Sequence, residues 1–141
     1  MSKDEILDLL REKSENTLQT VLGIRIIGRD GDRVFGEMPV CADTYQSMGG
    51  LHGGASVAFA ETLAGYAANL QVDFPDEYCV GVEINANHLK KVCDGKVFGT
   101  ASPLRVGRRF HVWEVRITDP QGELVCVSRL TAAVLKNGDA H

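Results

Sequence analysis

The stretch that most limits how this chain can fold is Leu51–Leu70, which reads Leu-His-Gly-Gly-Ala-Ser-Val-Ala-Phe-Ala-Glu-Thr-Leu-Ala-Gly-Tyr-Ala-Ala-Asn-Leu. A glycine pair opens an apolar helical run whose one formal charge is Glu61. A helix that is apolar on all sides is a buried one, so other parts of the chain, or a second copy, must wrap around it. A carboxylate in that position is costly to desolvate unless it is paired or faces a pocket. Glu61 is therefore read as a residue kept for chemistry, the competing reading being a structural carboxylate satisfied across a subunit contact.

The flanking sequence supplies the wrapping. Ser2 with Glu5 three residues on is a capping-box pattern, and Ile6, Leu7, Leu9 and Leu10 follow on one helical face. From Val21 the period becomes that of strands: Val21–Ile27 and Arg33–Val40, joined by a turn at Asp30-Gly31-Asp32. Residues 41–53 have no period and read as a loop delivered onto the helix. After Asp73, Pro75 and Asp76 stop that helix, Tyr78–His88 alternates, with Val80, Val82, Ile84 and Ala86 on one face and Glu83, Asn85 and Asn87 on the other. Lys96–Leu104 is a fourth strand, and Arg108–Thr118 and Glu123–Leu135 form a hairpin around Asp119–Gly122. Residues 136–141 are expected to fray. The pattern predicts a single α+β domain over residues 1–141, with five or six antiparallel strands curled around one long helix. One sheet covers one side of that helix, and self-association is the simplest cover for the other.

Composition closes off several functions. A net charge of −4 gives no reason to expect nucleic acid or an anionic membrane as partner. The apolar run is interrupted by Glu61, which argues against a membrane span. Cys41, Cys79, Cys93 and Cys126 are widely spaced without a C-x-x-C pair, which suits a reducing, cytoplasmic setting and signals no zinc or redox motif. Met1–Ile6 is mixed in charge, unlike an export signal. His52, His88, His111 and His141 have no ligand spacing, so no metal and no cofactor are expected.

Three features carry candidate chemistry. Gly53 and Gly54 allow close backbone approach at a helix N-terminus, whose N–H groups suit a developing oxyanion; a tightly packed turn is the alternative. Glu61 would be a nucleophile or general base, its proton affinity raised by apolar surroundings, and Gln46 and His52 could donate to a carbonyl. Gly53 and Glu61 are eight positions apart, about 12 Å along one helix. If both act on one atom, Glu61 must come from a neighbouring subunit. Finally, Val34–Leu89 contains no Lys or Arg, whereas Lys90, Lys91, Lys96, Arg105, Arg108 and Arg109 crowd a short window with one acid, Asp94. Such a cluster could hold phosphates; charged turns kept for solubility are the alternative. Gly54-Ala-Ser-Val-Ala58 lacks the second glycine of a serine-hydrolase elbow, and no Gly-Lys-Ser/Thr follows a glycine-rich loop.

Taken together, Gln46, Gly50-Leu-His-Gly-Gly-Ala-Ser56, Ala60-Glu-Thr62, Glu83-Ile-Asn-Ala-Asn-His88, Pro103-Leu104 with Gly107-Arg108, and Ser128-Arg-Leu-Thr131 resemble the hotdog-fold acyl-CoA thioesterases. The branch that the chain most resembles includes 1,4-dihydroxy-2-naphthoyl-CoA thioesterase and the enterobactin-pathway proofreading thioesterase. The resemblance implies a hotdog fold in which Glu61 attacks the thioester carbonyl or activates water, and the Gly53 N–H polarises that carbonyl. Gln46 and His52 would orient the carbonyl and sulfur end, facing Glu61 across a homodimer that assembles further into a homotetramer. Gly54, Thr62, Gly65, His88, Lys90, Arg105, Gly107, Arg108 and Arg109 would contact an acyl-CoA or acyl-carrier thioester, the acyl group aromatic or of medium length. Two departures stand out: Gly65 where relatives often carry Ser or Thr, and Arg105 where they can carry His. A hydratase or dehydratase using His52 with Glu61, and a non-catalytic acyl-CoA-binding protein, are the competing functions.

Overall fold

The computed structural model describes residues 1–138. The chain opens with α1 (Lys3–Glu12), capped reciprocally: the Glu5 N–H donates to the Ser2 hydroxyl and the Ser2 N–H to the Glu5 carboxylate, each at 3.1 Å. The box satisfies two donors that a helix start leaves orphaned. Ile6 and Leu7 then join the core, and the Arg11 guanidinium donates to the Ile26 carbonyl at 2.8 and 3.1 Å. A single helical turn, α2 (Leu18–Val21), ends on Val21, where the sequence predicts a strand to start. The apolar pattern there is not sheet alternation: Leu18 and Val21 are exposed, and Gly23, at φ +74°, turns the chain before β1 (Arg25–Asp30) begins.

Strand β2 (Arg33–Pro39) follows through a two-residue turn in which Gly31 takes φ +61°, a conformation glycine adopts without strain. A long helix, α3 (Gly53–Asn69), precedes β3 (Glu77–His88), β4 (Lys96–Val106), β5 (Phe110–Thr118) and β6 (Leu124–Lys136). The strands form one antiparallel sheet in the order β1-β2-β4-β5-β6-β3, and α3 packs against β2, β3, β4, β5 and β6. This is the α+β hotdog arrangement that the sequence predicts.

Two glycines seat the helix. Gly36 and Gly99 are paired across β2 and β4; a Cβ on Gly36 would come 2.7 Å from Leu63, and one on Gly99 would come 2.5 Å from Leu63 and 2.9 Å from Phe59. The fully buried Phe59 and Leu63 fill that saddle, beside Trp113, Met38 and Ile117. Part of the helix flank for which the sequence predicts a second subunit is covered instead by α1 within the chain. Gly54 stays exposed, and Ala58, Glu61, Thr62 and Gly65 are only partly buried.

Strand β3 departs from simple alternation. A bulge between Gly81 and Glu83 leaves Val82 exposed. Cys79 and Gly81 face the helix before it, and Ile84, Ala86 and His88 after it, opposite the buried Leu130, Ser128 and Cys126. Val80 and Val82 therefore do not share a face with Ile84 and Ala86. β3 pairs with β6 alone, so its other edge is open. At the C-terminus the expected fraying does not begin at residue 136: β6 runs through Lys136, and the Asn137 N–H donates to the Asp76 carbonyl at 2.9 Å. Asp139, Ala140 and His141 lie outside the described residues. No helix among the described residues is long and apolar enough to cross a membrane.

Candidate active site

The loop between β2 and α3 is pinned along its length. The Leu51 N–H donates to Val92 O and the His52 N–H to Thr44 O, both at 2.8 Å, and the Tyr45 hydroxyl donates to Cys93 O at 2.7 Å. The first turn of α3 is then handed over in a fixed pose. His52 caps it, Nδ1 accepting from the Gly54 N–H at 2.7 Å, which leaves the neutral ring's proton on Nε2, available to donate. The Ala55 and Ser56 N–H groups both return to His52 O. The Gly53 N–H remains without a partner among the described residues: a single unspent donor at the positive end of the helix.

Gly53 is also a place where a side chain will not fit. A Cβ there would come 2.9 Å from His88 Nε2, because the His88 imidazole from the end of β3 lies against it. Gln46, Gly53, His88 and Lys90 share one cleft of about 520 Å³, together with Lys91. His52 and Gly54 line a different recess. Gln46 is folded into its own loop, its N–H donating to Gly50 O at 2.8 Å and its side-chain oxygen accepting from the Met48 N–H.

Glu61 lines neither recess. Its carboxylate lies over the backbone of β3, where a Cβ on Gly81 would come 3.2 Å from Oε2. It has no hydrogen-bond or ion-pair partner among the described residues. Thr62, one residue on, donates its hydroxyl to Ala58 O at 2.7 Å. Gly65 has open space where its side chain would be.

The basic window separates into two ends of the sheet. Across the strands, His88 is level with Cys126, Ile117 and Gly99, whereas Gly81 is level with Ala132, His111 and Val106. Lys90 and Lys91 thus sit at the Gly53 end, and Arg105, Gly107, Arg108 and Arg109, at the β4–β5 tip, sit at the Glu61 end. The three arginines are exposed; Arg108 and Arg109 border a recess with Glu77. Lys90 is already engaged by Asp119 and Glu123. The Asp119 partner, reinforced by Glu123, pushes the ammonium above its usual range, and Lys90 in turn holds the Asp119 carboxyl below its own. Two buried groups take no part in the site: the Cys79 thiol, pushed up to about 12 by burial, and the His111 imidazole, pushed down by burial, whose Nδ1 accepts from Trp113 Nε1–H at 3.4 Å. Among the described residues, no group of three or more His, Cys, Asp or Glu gathers where a metal could be held.

The sequence reading does not single out Gly81 as the seat of Glu61, although an isolated glycine within an alternating strand is a signal for a bulge or a close approach. It also overlooks α2, whose four residues are too few to show a helical period.

A long helix on an antiparallel sheet, with one unspent N–H at its start and one unpaired carboxylate two turns later, defines a class. The model of the thioesterase superfamily matches residues 48–126, and the chain belongs to that hotdog-fold family. Among its relatives is a Vibrio cholerae protein that carries the name of an esterase, 48% identical over 93% of this chain and 87% of its own length. The crystal structure of a Haemophilus influenzae thioesterase superposes with a TM-score of 0.90 at 40% identity, covering 96% of this chain and 94% of that one. A mutant Pseudomonas aeruginosa thioesterase gives 0.89 at 41% identity, covering 92% and 94%. The chain is a thioesterase or esterase of the hotdog family.

Proposed function

We propose that the chain hydrolyses an acyl-CoA thioester, aromatic or of medium length, to the free acid and CoA, at sites shared across a homodimer. The observation that carries this reading is the pairing of two incomplete halves in one chain: a lone N–H at Gly53 and a lone carboxylate at Glu61, about 12 Å apart by helical rise. The Gly53 N–H, in the cleft that Gln46 also lines, receives the carbonyl oxygen, with the His52 Nε2–H offered from the adjoining recess. The partner's equivalent of Glu61 attacks the carbonyl carbon, or takes a proton from the water that does. The tetrahedral oxyanion rests on the helix N-terminus and then collapses, expelling the CoA thiolate. If the carboxylate was the nucleophile, water next hydrolyses the mixed anhydride.

The open edge of β3 supports the shared site. Gly53 lies against His88 and Glu61 over Gly81, both on the helix-facing side of β3. Antiparallel pairing of two β3 edges about an axis near Ile84–Asn85 would set Gly81 of one copy opposite His88 of the other, and so bring Glu61 to the second copy's Gly53. The same step would bring the arginines of the β4–β5 tip toward Lys91 of the second copy, a cationic setting for CoA phosphates. Such dimers pair further into the homotetramer, and four free thiols suit a reducing cytoplasm. The hydratase alternative is less well served, because His52 Nδ1 is already spent on Gly54 and the ring presents a donor rather than a base. Glu61→Gln tests the proposal: it should abolish thiol release from acyl-CoA while the protein stays folded and still binds CoA, and near wild-type turnover would refute it.

A further inference from the structure

A second recess, of about 290 Å³, lies on the other side of the first turn of α3 from the Gln46–His88 cleft. Leu18 of α2, Leu22 just after it, Tyr45 of the loop, and Ala55 and Ala58 of α3 wall it, with His52 alongside. We propose that this recess receives the acyl group of the substrate and that α2 and Ala58 set the size of acyl group accepted. The inference rests on the thioesterase reading.

A thioester carbonyl held at Gly53 has two substituents, the sulfur and the acyl carbon, which must leave in different directions. The two hollows that flank this turn differ in chemistry in a way that sorts them. The cleft offers the Gln46 amide, the His88 imidazole and the Lys91 ammonium, groups that suit the amides and phosphates of CoA. The recess offers mostly carbon. The Thr44 hydroxyl is committed to Pro39 O at 2.9 Å and the Tyr45 hydroxyl to Cys93 O at 2.7 Å. The carboxylate of Asp43, also at the recess, repels phosphate. Size narrows the class further: an apolar cavity of roughly 150 Å³ holds a benzene ring. The recess therefore takes one substituted ring or a medium-length aliphatic chain. Leu18, 63% exposed although large and apolar, gains cover when such a group is bound.

The experiment compares kcat/KM for benzoyl-, octanoyl- and acetyl-CoA in the wild type, in Ala58→Leu and in Leu22→Ala. Leucine is close to alanine in helix propensity, so Ala58→Leu fills the recess with little cost to α3. It should lower the benzoyl-to-acetyl and octanoyl-to-acetyl ratios by roughly tenfold or more, the discrimination that small changes of fit produce in an apolar pocket. Leu22→Ala should raise the octanoyl-to-benzoyl ratio by enlarging the same wall, and stands independently should Ala58→Leu fail to fold. Hydrolysis by all three proteins with unshifted ratios would overturn the acyl assignment and leave the thioesterase reading intact. No hydrolysis of any of the esters by the wild type would overturn both.

Discussion

Replacing Gly53 by proline exchanges one N–H donor for a ring carbon without breaking a helical hydrogen bond. Gly53 is the first residue of α3, where proline costs no helical hydrogen bond. His52 before it has ψ 130°, inside the extended range that proline imposes on its predecessor. Both this variant and Gly53→Ala add a Cβ 2.9 Å from His88 Nε2, so any shift of that ring is common to the two. Gly53→Ala brings the same Cβ but keeps the N–H, so the ratio of the two variants reports the loss of that N–H together with the ring carbon that takes its place. Loss of one oxyanion donor typically costs about 2.7–4 kcal/mol, or 10²–10³ in kcat, and Gly53→Pro should fall below Gly53→Ala by about that factor. Thiol release from an acyl-CoA at saturation measures it, with thermal melts to show that both variants are folded. If the proline and alanine variants turned over within about threefold of each other, a barrier difference under ~1 kcal/mol, the Gly53 N–H would not be the oxyanion donor.

Gly81→Ala should separate activity from stability. Its Cβ would meet Glu61 Oε2 at 3.2 Å and Leu130 at 3.1 Å, so flexible side-chain ends can yield at small cost to folding. A misplaced carboxylate can nonetheless lose up to ~10²-fold, so kcat should fall with the melting temperature nearly unchanged; an unchanged kcat would mean that β3 does not aim Glu61. His111 gives a pH prediction. Burial holds its imidazole below the ordinary 6.5, so the unfolded chain binds the proton more readily. The associated stability is complete above 6.5 and is lost as pH falls from there through the lowered folded value. Melting curves from about pH 8 to pH 5 should therefore fall more steeply for the wild type than for His111→Asn, and parallel curves would contradict this.

Much of the fold is legible because the chain's periods are clean. The capping box at Ser2 and Glu5, the apolar run of α3 and the hairpin about Asp119–Gly122 each rest on local signals. What is not legible depends on contacts distant in sequence. The bulge at Val82 inverts a face that alternation alone would assign to Val80 and Val82. The basic window looks like one cluster along the chain, yet the strand register carries Lys90 to one end of the sheet and Arg105, Arg108 and Arg109 to the other. The single local acid, Asp94, gives no hint that Asp119 and Glu123 come from β5–β6 to hold Lys90. At the candidate site, Gly53 and Glu61 stand out in the sequence by residue type and spacing. That the Gly54 N–H is consumed by His52, so that one donor remains, required the geometry of the cap.

The central claim, that each site draws its carboxylate from one copy and its N–H from another, is tested most directly by mixing two inactive variants. Glu61→Gln and Gly53→Pro, unfolded and refolded together in equal amounts, should form mixed dimers in which one site carries both changes and the other carries neither. With random pairing across a two-fold axis, about a quarter of wild-type activity should return. If the mixture hydrolysed acyl-CoA no faster than its two components refolded apart, while mass analysis showed mixed dimers to be present, both groups would have to act within a single chain.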